Sequence, residues 1–170
     1  MKLSTRGRYA VMAMADLASH SVEPGGVSAG VVGRAVPLAE ISGRQEISLS
    51  YLEQLFAKLR RSGLVASARG PGGGYRLAQP PSETRVADII MAVDEPIKAT
   101  RCRVGSPKGC LGAKGRCMTH DLWATLNEKM YDYLASVKLS DLVETHKRNT
   151  EAVEVSPGTL VGTLSRTQRA

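Results

Sequence analysis

Three cysteines and one histidine close together in the chain are the sequence feature that most constrains its fold. Residues 102–120 contain every cysteine of the chain. Seven residues separate the first cysteine from the second, six separate the second from the third, and two separate the third from the histidine. Three thiols and an imidazole are four ligands of the kind that zinc and iron–sulfur clusters take. The pattern therefore predicts a loop that a metal centre folds, with Cys102, Cys110, Cys117 and His120 as the ligands.

The residues around these ligands favour one kind of centre over others. Between residues 97 and 117 the loop contains six lysines and arginines and no acidic residue, and nearby cations stabilise bound thiolates. Structural zinc sites usually take ligands about two to four residues apart, a spacing that only Cys117 and His120 have. The wider spacing favours an iron–sulfur cluster, while zinc and a redox-active thiol switch stay open as alternatives. An odd number of cysteines argues against a disulfide framework.

The charge of the chain indicates the kind of partner. The 170 residues carry a net charge of +7, which points to an anionic partner, either nucleic acid or a membrane surface. Residues 1–80 contain ten basic and five acidic residues, whereas residues 118–155 contain four and seven. No apolar run approaches the roughly 20 residues of a membrane helix, so we expect no membrane partner. Asp16 interrupts the apolar part of the N-terminal segment and argues against export, and free cysteines favour the cytoplasm.

The strongest helical pattern lies in residues 47–65. Its apolar residues repeat at intervals of three and four, which predicts one buried stripe. These residues are Leu52, Leu55, Phe56 and Leu59. Ser50 and Glu53 have the spacing of a capping box, and Gly63 stands where a helix stop is expected. A shorter helix beginning at Pro37 precedes this segment, so the two predict a helix-turn-helix.

A basic hairpin is predicted directly after the helix-turn-helix. The strand-like runs 64–67 and 75–77 flank a glycine-rich tip, with Arg69 and Arg76 beside it. A helix-turn-helix followed by such a hairpin is a winged helix, and Arg69 at its edge is suited to a narrow minor groove. No Gly-Lys-Ser/Thr follows the glycines, so the run is not a phosphate-binding loop.

Further helices are predicted on both sides of the winged helix. A first helix, capped by Ser4 or Thr5, is expected to run to about Ser19, and its basic start is suited to phosphate. Residues 21–36 are predicted to be a long connection. Thr84 is expected to cap a helix that ends at residues 94–96. A last short helix is expected to start at Ser140.

A long helix is expected to follow the cysteine loop and to end near Val137. It carries an apolar seam of about two heptads. The seam consists of Trp123, Leu126, Met130, Tyr133 and Val137. Because the preceding loop contains almost nothing apolar, we expect the seam to meet a second copy of the chain. Duplex DNA read by one recognition helix per chain also favours two-fold dimers.

The expected fold class is therefore mainly α with a small β-hairpin wing, a winged helix-turn-helix followed by a long dimerisation helix. Residues 1–81 are predicted to form the DNA-binding domain. Residues 82–149 are predicted to contain a connecting helix, the cluster-binding loop at 97–120 and the dimerisation helix. Residues 150–170 lack periodicity and are predicted to be a disordered tail.

Several segments resemble a known family. The opening KLSTRGRYAV, the run ISLSYLEQLFAKLRRSGLV, the hairpin RGPGGGYRL and the segments AVDEPIKATRC and CMTHDLW are similar to those of IscR-like regulators. These are iron–sulfur-cluster-sensing transcription factors within the Rrf-two family of winged-helix repressors. The resemblance extends from residue 1 to about residue 143.

The resemblance implies a homodimer whose long helices cross at the dimer interface. It implies a [2Fe–2S] cluster bound by the three cysteines and His120, and repression of cluster-assembly genes. We accordingly expect a cytoplasmic, nucleoid-associated protein that binds a pseudo-palindromic operator in double-stranded DNA and receives its cluster from assembly or carrier proteins. It also implies DNA contacts by Ser50, Glu53, Gln54 and Arg69.

Side-chain chemistry suggests how DNA is read. Gln54 can pair bidentately with adenine and Glu53 can accept from cytosine, each discriminating by about 1–3 kcal/mol. The cations supply attraction that weakens with salt. The complete set of predicted DNA contacts is Arg6, Arg8, Ser50, Tyr51, Glu53, Gln54, Lys58, Arg61 and Arg69.

Two other functions stay open from the residues alone. One is a zinc-stabilised winged-helix DNA-binding protein without a sensing role, and the other is a repressor on the same fold that senses nitric oxide or thiol redox state. We do not expect an enzyme, because outside the cysteine loop the sequence contains no recognisable pair of base and nucleophile.

Overall fold

The computed structural model describes residues 4–21, 33–93, 96–98, 100–102, 110 and 115–154. Within these ranges the helices are α1 (Thr5–Ser21), α2 (Leu38–Gln45), α3 (Leu49–Arg61), α4 (Val86–Ala92), α5 (His120–Ser136) and α6 (Leu139–Glu154). The strands β1 (Val65–Ala68) and β2 (Gly74–Leu77) lie between α3 and α4 and form one antiparallel hairpin. The predicted fold class, mainly helical with a small hairpin wing, is confirmed.

α1 is the central helix, and it packs against α2, α3, α4 and α6. On its inward face Ala10, Met14 and Leu17 are fully buried. Gly7, Ala13 and Ala18 are buried as well, and these small residues let several helices approach the same axis. The predicted cap is also present, because the Gly7 N–H donates to Ser4 Oγ at 3.5 Å.

A buried charge joins α1 to α2. The Asp16 side chain is 1% exposed and accepts hydrogen bonds from Arg44 Nη2 at 2.7 Å and Arg44 Nε at 3.0 Å. Gln45 Nε2 donates to the same carboxylate at 2.8 Å. The hydrogen bond with Asp16 is the main reason why the pKa of Arg44 is raised. A carboxylate this buried requires such partners, so the network fixes the end of α2 against α1.

The predicted stripe of α3 forms the centre of the core. Leu52, Phe56 and Leu59 are completely buried, and Leu55 is 2% exposed. The predicted capping box is wrong, because the N-cap is Ser48 and makes no side-chain cap hydrogen bond. Ser50 instead lies exposed within the first turn. α3 begins one residue before Ser50 because the backbone carbonyl of Ser48 accepts the Leu52 N–H at 3.0 Å.

The predicted stop at Gly63 is confirmed. Its φ is +72°, and the Leu64 N–H donates to the Leu59 carbonyl at 3.0 Å, which closes the helix with a left-handed residue.

Alanine substitutions at Gly63 and Gly43 should have opposite effects on stability. No atom lies within 4 Å of a Cβ placed at either position, but only Gly63 has a positive φ. We expect Gly63→Ala to lower the free energy of unfolding by about 1 kcal/mol, because alanine strains the left-handed conformation. Gly43→Ala, inside α2, should raise it by about 0.5–1 kcal/mol. Urea unfolding of both variants measures this, and equal signs would contradict the assigned conformations.

Tyr75, on the second strand, anchors the wing to the rest of the fold. β1 and β2 pair in the register Val65↔Leu77 to Ala68↔Gly74, close to the predicted runs. Val36 adds a further bridge, exchanging two 2.9 Å backbone hydrogen bonds with Tyr75. The Tyr75 ring also packs edge-on against Phe56, with the ring centroids 4.8 Å apart. The hairpin is therefore held to α3 and to the segment that leads into α2.

The junction between α5 and α6 pairs with the start of α4. The Val86 N–H donates to the Val137 carbonyl at 3.0 Å, and the Leu139 N–H donates to the Thr84 carbonyl at 2.9 Å. Thr84 does not cap α4 as predicted, because its hydroxyl donates to the Pro80 carbonyl and the N-cap is Arg85. α4 ends at Ala92, and residues 94 and 95 lie outside the described residues.

α6 is longer than the short helix that was predicted. It begins one residue before Ser140 and continues to Glu154, past the position where the tail was expected to begin. Residues 155–170, the rest of that predicted tail, lie outside the described residues, as do residues 22–32 of the predicted connection. Within the described ranges, none of the helices combines the length and apolar character that crossing a membrane requires.

Candidate metal centre and nucleic-acid interface

The three cysteines meet in space, although seven and six residues separate them in the chain. Their Sγ atoms all lie within 4.8 Å of one another. Cys102 lies in the segment after α4, and Cys117 lies just before α5. The Cys117 N–H donates to Cys110 Sγ at 3.0 Å, so one backbone amide already supports a sulfur of the group.

The electrostatic surroundings of the sulfurs differ. Burial raises the pKa of the Cys102 thiol, and the neighbouring Cys110 thiol adds to that increase. The pKa of Cys117 is instead lowered, first by a hydrogen bond from Cys110 and then by the hydroxyl of Thr119. The Cys117 thiol therefore ionises more readily than the Cys102 thiol, and a bound cation favours the ionised form of any thiol that ligates it.

A hydrogen bond from Trp123 orients the Thr119 hydroxyl. Trp123 Nε1 donates to Thr119 Oγ1 at 3.0 Å, and Thr119 Oγ1 lies 3.7 Å from Cys117 Sγ. An indole nitrogen can only donate, so the hydroxyl hydrogen of Thr119 is left to point at the sulfur. Such outer hydrogen bonds stabilise a thiolate ligand.

His120 is the first residue of α5, three positions after Cys117, and its side chain is buried. It is 2% exposed, and neither ring nitrogen has a hydrogen-bond partner among the described residues. Its imidazole is not part of the group of atoms that lie within 4.8 Å of one another. A buried imidazole without partners is costly, which is consistent with a ligand-binding role.

Asn127 is a residue of this site that sequence reasoning missed. It lies on α5, seven residues after His120 and therefore on the same side of the helix. Its amide donates to the Cys102 carbonyl at 2.7 Å and contacts Thr100. The only signal in the sequence is this spacing of seven, and an isolated asparagine at that spacing is not specific.

The residues present fit a metal ion or a small cluster with thiolate ligands. The donor set has three sulfurs already gathered and one buried imidazole with unused nitrogens. Both a zinc ion and a [2Fe–2S] cluster take sulfur and imidazole ligands, so the donors alone do not choose between them.

The predicted DNA contacts are mostly exposed. Exposed positions are Ser50, Glu53, Gln54 and Arg61 on α3, Arg69 in the wing, and Arg6 and Arg8 on α1. Lys58 is half-buried. Tyr51 is also half-buried, and its ring packs edge-on against Tyr9 with centroids 5.9 Å apart, so it joins α3 to α1. Arg8 also lines a cavity of about 360 Å³ beside Tyr133 and Val137, at the end of α5.

The apolar seam of α5 is incompletely covered within one chain. Trp123, Leu126, Met130 and Val137 are half-buried, and Tyr133 is 67% exposed. Among the residues of α5, only His120 and Ala124 are buried. A helix of 17 residues with so little burial suits the predicted contact with a second copy, which stays a prediction.

Sequence comparison gives matches over most of the chain. The family model Rrf2, described as an iron-dependent transcriptional regulator, matches residues 3–145. The HTH-type transcriptional regulator IscR of Photorhabdus laumondii is 49% identical over 156 residues, which cover 92% of this chain and 85% of that protein. The regulator of the same name from Serratia proteamaculans is 52% identical over 143 residues, covering 84% and 79%.

Solved structures of similar fold are also regulators. T. potens IscR is 33% identical with a TM-score of 0.62, and the match covers 94% of this chain and 93% of that chain. CymR, the global cysteine regulator of B. subtilis, is 30% identical with a TM-score of 0.67, covering 85% and 98%. The proteins named in these matches are transcriptional regulators, and none is an enzyme.

Proposed function

Because this chain belongs to the Rrf2 family of iron-dependent transcriptional regulators, we propose that it is a dimeric DNA-binding regulator that senses iron–sulfur cluster status. The sensor is a [2Fe–2S] centre, and the regulated genes, mainly repressed, are those of cluster assembly. One observation carries this proposal, namely three Sγ atoms within 4.8 Å of one another at the start of the helix that carries the apolar seam.

The ligands of the centre would be Cys102, Cys110, Cys117 and His120. When bound, a [2Fe–2S] cluster supplies a one-electron redox couple whose potential depends on its ligands and their hydrogen bonds. The Thr119 hydroxyl and the Cys117 N–H place hydrogen bonds on two of the sulfurs. His120 supplies a neutral donor in place of a fourth thiolate, which lowers the negative charge of the site.

DNA binding is assigned to α3, the wing and the start of α1. Gln54 and Glu53 are exposed on α3 and can read base edges. Arg61, at the end of α3, and Arg69, in the wing, are also exposed and can neutralise phosphates. α3 has a buried apolar stripe, so its opposite side is free to enter a groove.

The structure suggests how the loop could influence the DNA-binding unit. α5 begins at His120, three residues after Cys117, and the segment after α5 pairs with the start of α4 at Thr84 and Val86. α4 in turn packs on α1 and α3. Binding or losing the centre would therefore change the anchorage of α5 and, in the dimer, the spacing of the two recognition helices.

The first test is an anaerobic absorption spectrum of purified protein, with iron, sulfide and zinc measured on the same sample. We expect visible bands and equal amounts of iron and sulfide. Colourless protein that gains no bands on reconstitution and holds one zinc per chain would overturn the sensor. In that case the zinc-stabilised DNA-binding protein would replace it.

The second test separates base reading from phosphate attraction. On a duplex selected from random DNA, Gln54→Ala should weaken binding by about 1–3 kcal/mol and relax the preference at one base pair. Arg61→Ala should weaken binding to all duplexes and reduce the salt slope by about 1.

Arg148→Ala, at an exposed position of α6, is the matched control for the lost charge. Unchanged base preference in Gln54→Ala would contradict the assigned recognition face, as would equal effects of the two arginine substitutions.

A further inference from the structure

We propose that Asn127 is a positioning residue for the metal centre, holding the Cys102 ligand to the middle of α5. The identity of the bound group rests on the proposed function, whereas the clamp itself rests on contacts within the chain. Asn127 is an ordinary residue type for an exposed or half-buried helix position. Its hydrogen bonds make it different.

Four hydrogen bonds of the Asn127 side chain go to one short segment, residues 100–102. Nδ2 donates to the Cys102 carbonyl at 2.7 Å, and it lies 3.3 Å from both the carbonyl and the hydroxyl oxygen of Thr100. Oδ1 accepts from the Thr100 N–H at 3.4 Å. The side chain thus uses both its donor and its acceptor on a segment that is 25 to 27 residues earlier in the chain.

The Thr100 hydroxyl extends this clamp to the other side of Cys102. The Cys102 N–H donates to Thr100 Oγ1 at 3.3 Å, while the Cys102 carbonyl accepts from Asn127. The backbone of Cys102 is therefore held at both of its polar groups. With the backbone held, rotation about χ1 alone decides where the sulfur lies, and few positions are available.

Packing alone leaves the segment room to move. A cavity of about 330 Å³ lies beside Cys102 and Asn127, lined also by Ile97, Ala124 and Tyr131. A segment next to such a space can shift when its hydrogen bonds are removed. We therefore infer that the amide of Asn127 fixes the position of the Cys102 sulfur relative to the other two sulfurs.

The clamp also gives α5 a second connection to the loop. Cys117 and His120 connect the loop to the first turn of α5, and Asn127 connects it about two turns later. Any movement of Cys102 on gain or loss of the bound group would therefore act on the middle of the helix. This is the part that carries the apolar seam.

The test compares variants of the full-length protein purified anaerobically. Asn127→Leu keeps the size of the side chain and removes all of its hydrogen bonds. Thr100→Val removes the hydroxyl, whereas Thr100→Ser keeps it and is the conservative control. Asn149→Leu, at an exposed position of α6, is the matched control. The readouts are the rate of cluster loss to a chelator, the visible circular dichroism of the bound form and the melting temperature of the metal-free form.

We expect Asn127→Leu to speed cluster loss by about tenfold or more and to change the visible circular dichroism. Thr100→Val should do the same, and the double variant should be no worse than the more affected single variant, because both act on one clamp. Thr100→Ser and Asn149→Leu should behave as the unsubstituted chain. The metal-free melting temperature should change little.

Two results would overturn the proposal. One is an unchanged rate of loss and an unchanged spectrum in Asn127→Leu. The other is a fall in the metal-free melting temperature with an unchanged spectrum, which would show a role in folding only.

The outcome can be separated from that of the proposed function. If the unsubstituted chain holds zinc, the rate of zinc release to a coloured chelator replaces cluster loss. Faster zinc release from Asn127→Leu would then support the clamp while the cluster sensor fails. If the unsubstituted chain binds neither cluster nor zinc after reconstitution, both proposals fail.

Discussion

Replacing Cys110 by serine is expected to abolish the bound cluster. Cys110 Sγ lies within 4.8 Å of both other sulfurs and accepts the Cys117 N–H at 3.0 Å, so the substitution removes one of three sulfurs that lie close together. A serine hydroxyl stays protonated at neutral pH and replaces a thiolate poorly. Iron and sulfide should fall to near background, and the visible bands should disappear.

The Cys110→Ser protein also tests whether the centre acts on DNA binding. Its far-ultraviolet circular dichroism should match that of the metal-free unsubstituted chain, which shows that the winged helix is intact. Its affinity for the selected duplex should equal that of the metal-free chain and differ from that of the loaded chain. Retention of stoichiometric iron in the serine variant would remove Cys110 from the ligand set.

The second large effect is expected on stability. Asp16→Ala should lower the free energy of unfolding by about 3 kcal/mol, because it leaves Arg44 and Gln45 without their buried partner. The Asp16 carboxylate is 1% exposed, whereas the Arg44 side chain is 30% exposed and can regain water. Because Arg44 is partly exposed, we expect a loss at the lower end of the roughly 3–5 kcal/mol that breaking a buried ion pair costs.

Glu40→Ala provides the matched control for Asp16→Ala. Glu40 Oε2 contacts the same arginine, at 3.2 Å from Arg44 Nη1, but its side chain is 39% exposed. Solvent screens such a pair, so its loss should cost no more than about 0.5–1 kcal/mol. Chemical denaturation of both variants gives the comparison. Equal destabilisation would show that burial of Asp16 does not determine the strength of the network.

The local patterns of the sequence were sufficient for the elements and for the candidate ligands. The buried stripe Leu52–Leu59 repeats at helical intervals, and the glycine-rich run between two short apolar runs marks a hairpin, so neighbours in the chain carry the information. The three cysteines are also recognisable by residue type, since few other side chains bind soft metals. The structure brings the sulfurs of Cys102, Cys110 and Cys117 together, and their role as ligands stays a prediction.

The helix starts show where local patterns were insufficient. Ser50 and Glu53 have the spacing of a capping box, yet Ser48 is the N-cap of α3. Thr84 was expected to cap α4, yet its hydroxyl and its carbonyl pair with Pro80 and Leu139 instead. In the second case, a local turn with Pro80, four residues earlier, uses the hydroxyl, and pairing with Leu139 on a distant segment fixes the Thr84 backbone.

Tertiary structure alone decided the features that connect distant segments. Asn127 contacts a segment 25 residues away, and Asp16 pairs with Arg44 at a separation of 28. Periodicity reports which side of a helix is apolar, but it does not report which polar side chain faces which distant partner. The sequence therefore determined the helices, the wing and the residue types of the candidate metal ligands. Packing decided how Cys102 is held to α5, because hydrogen-bond partners are fixed only when the helices have come together.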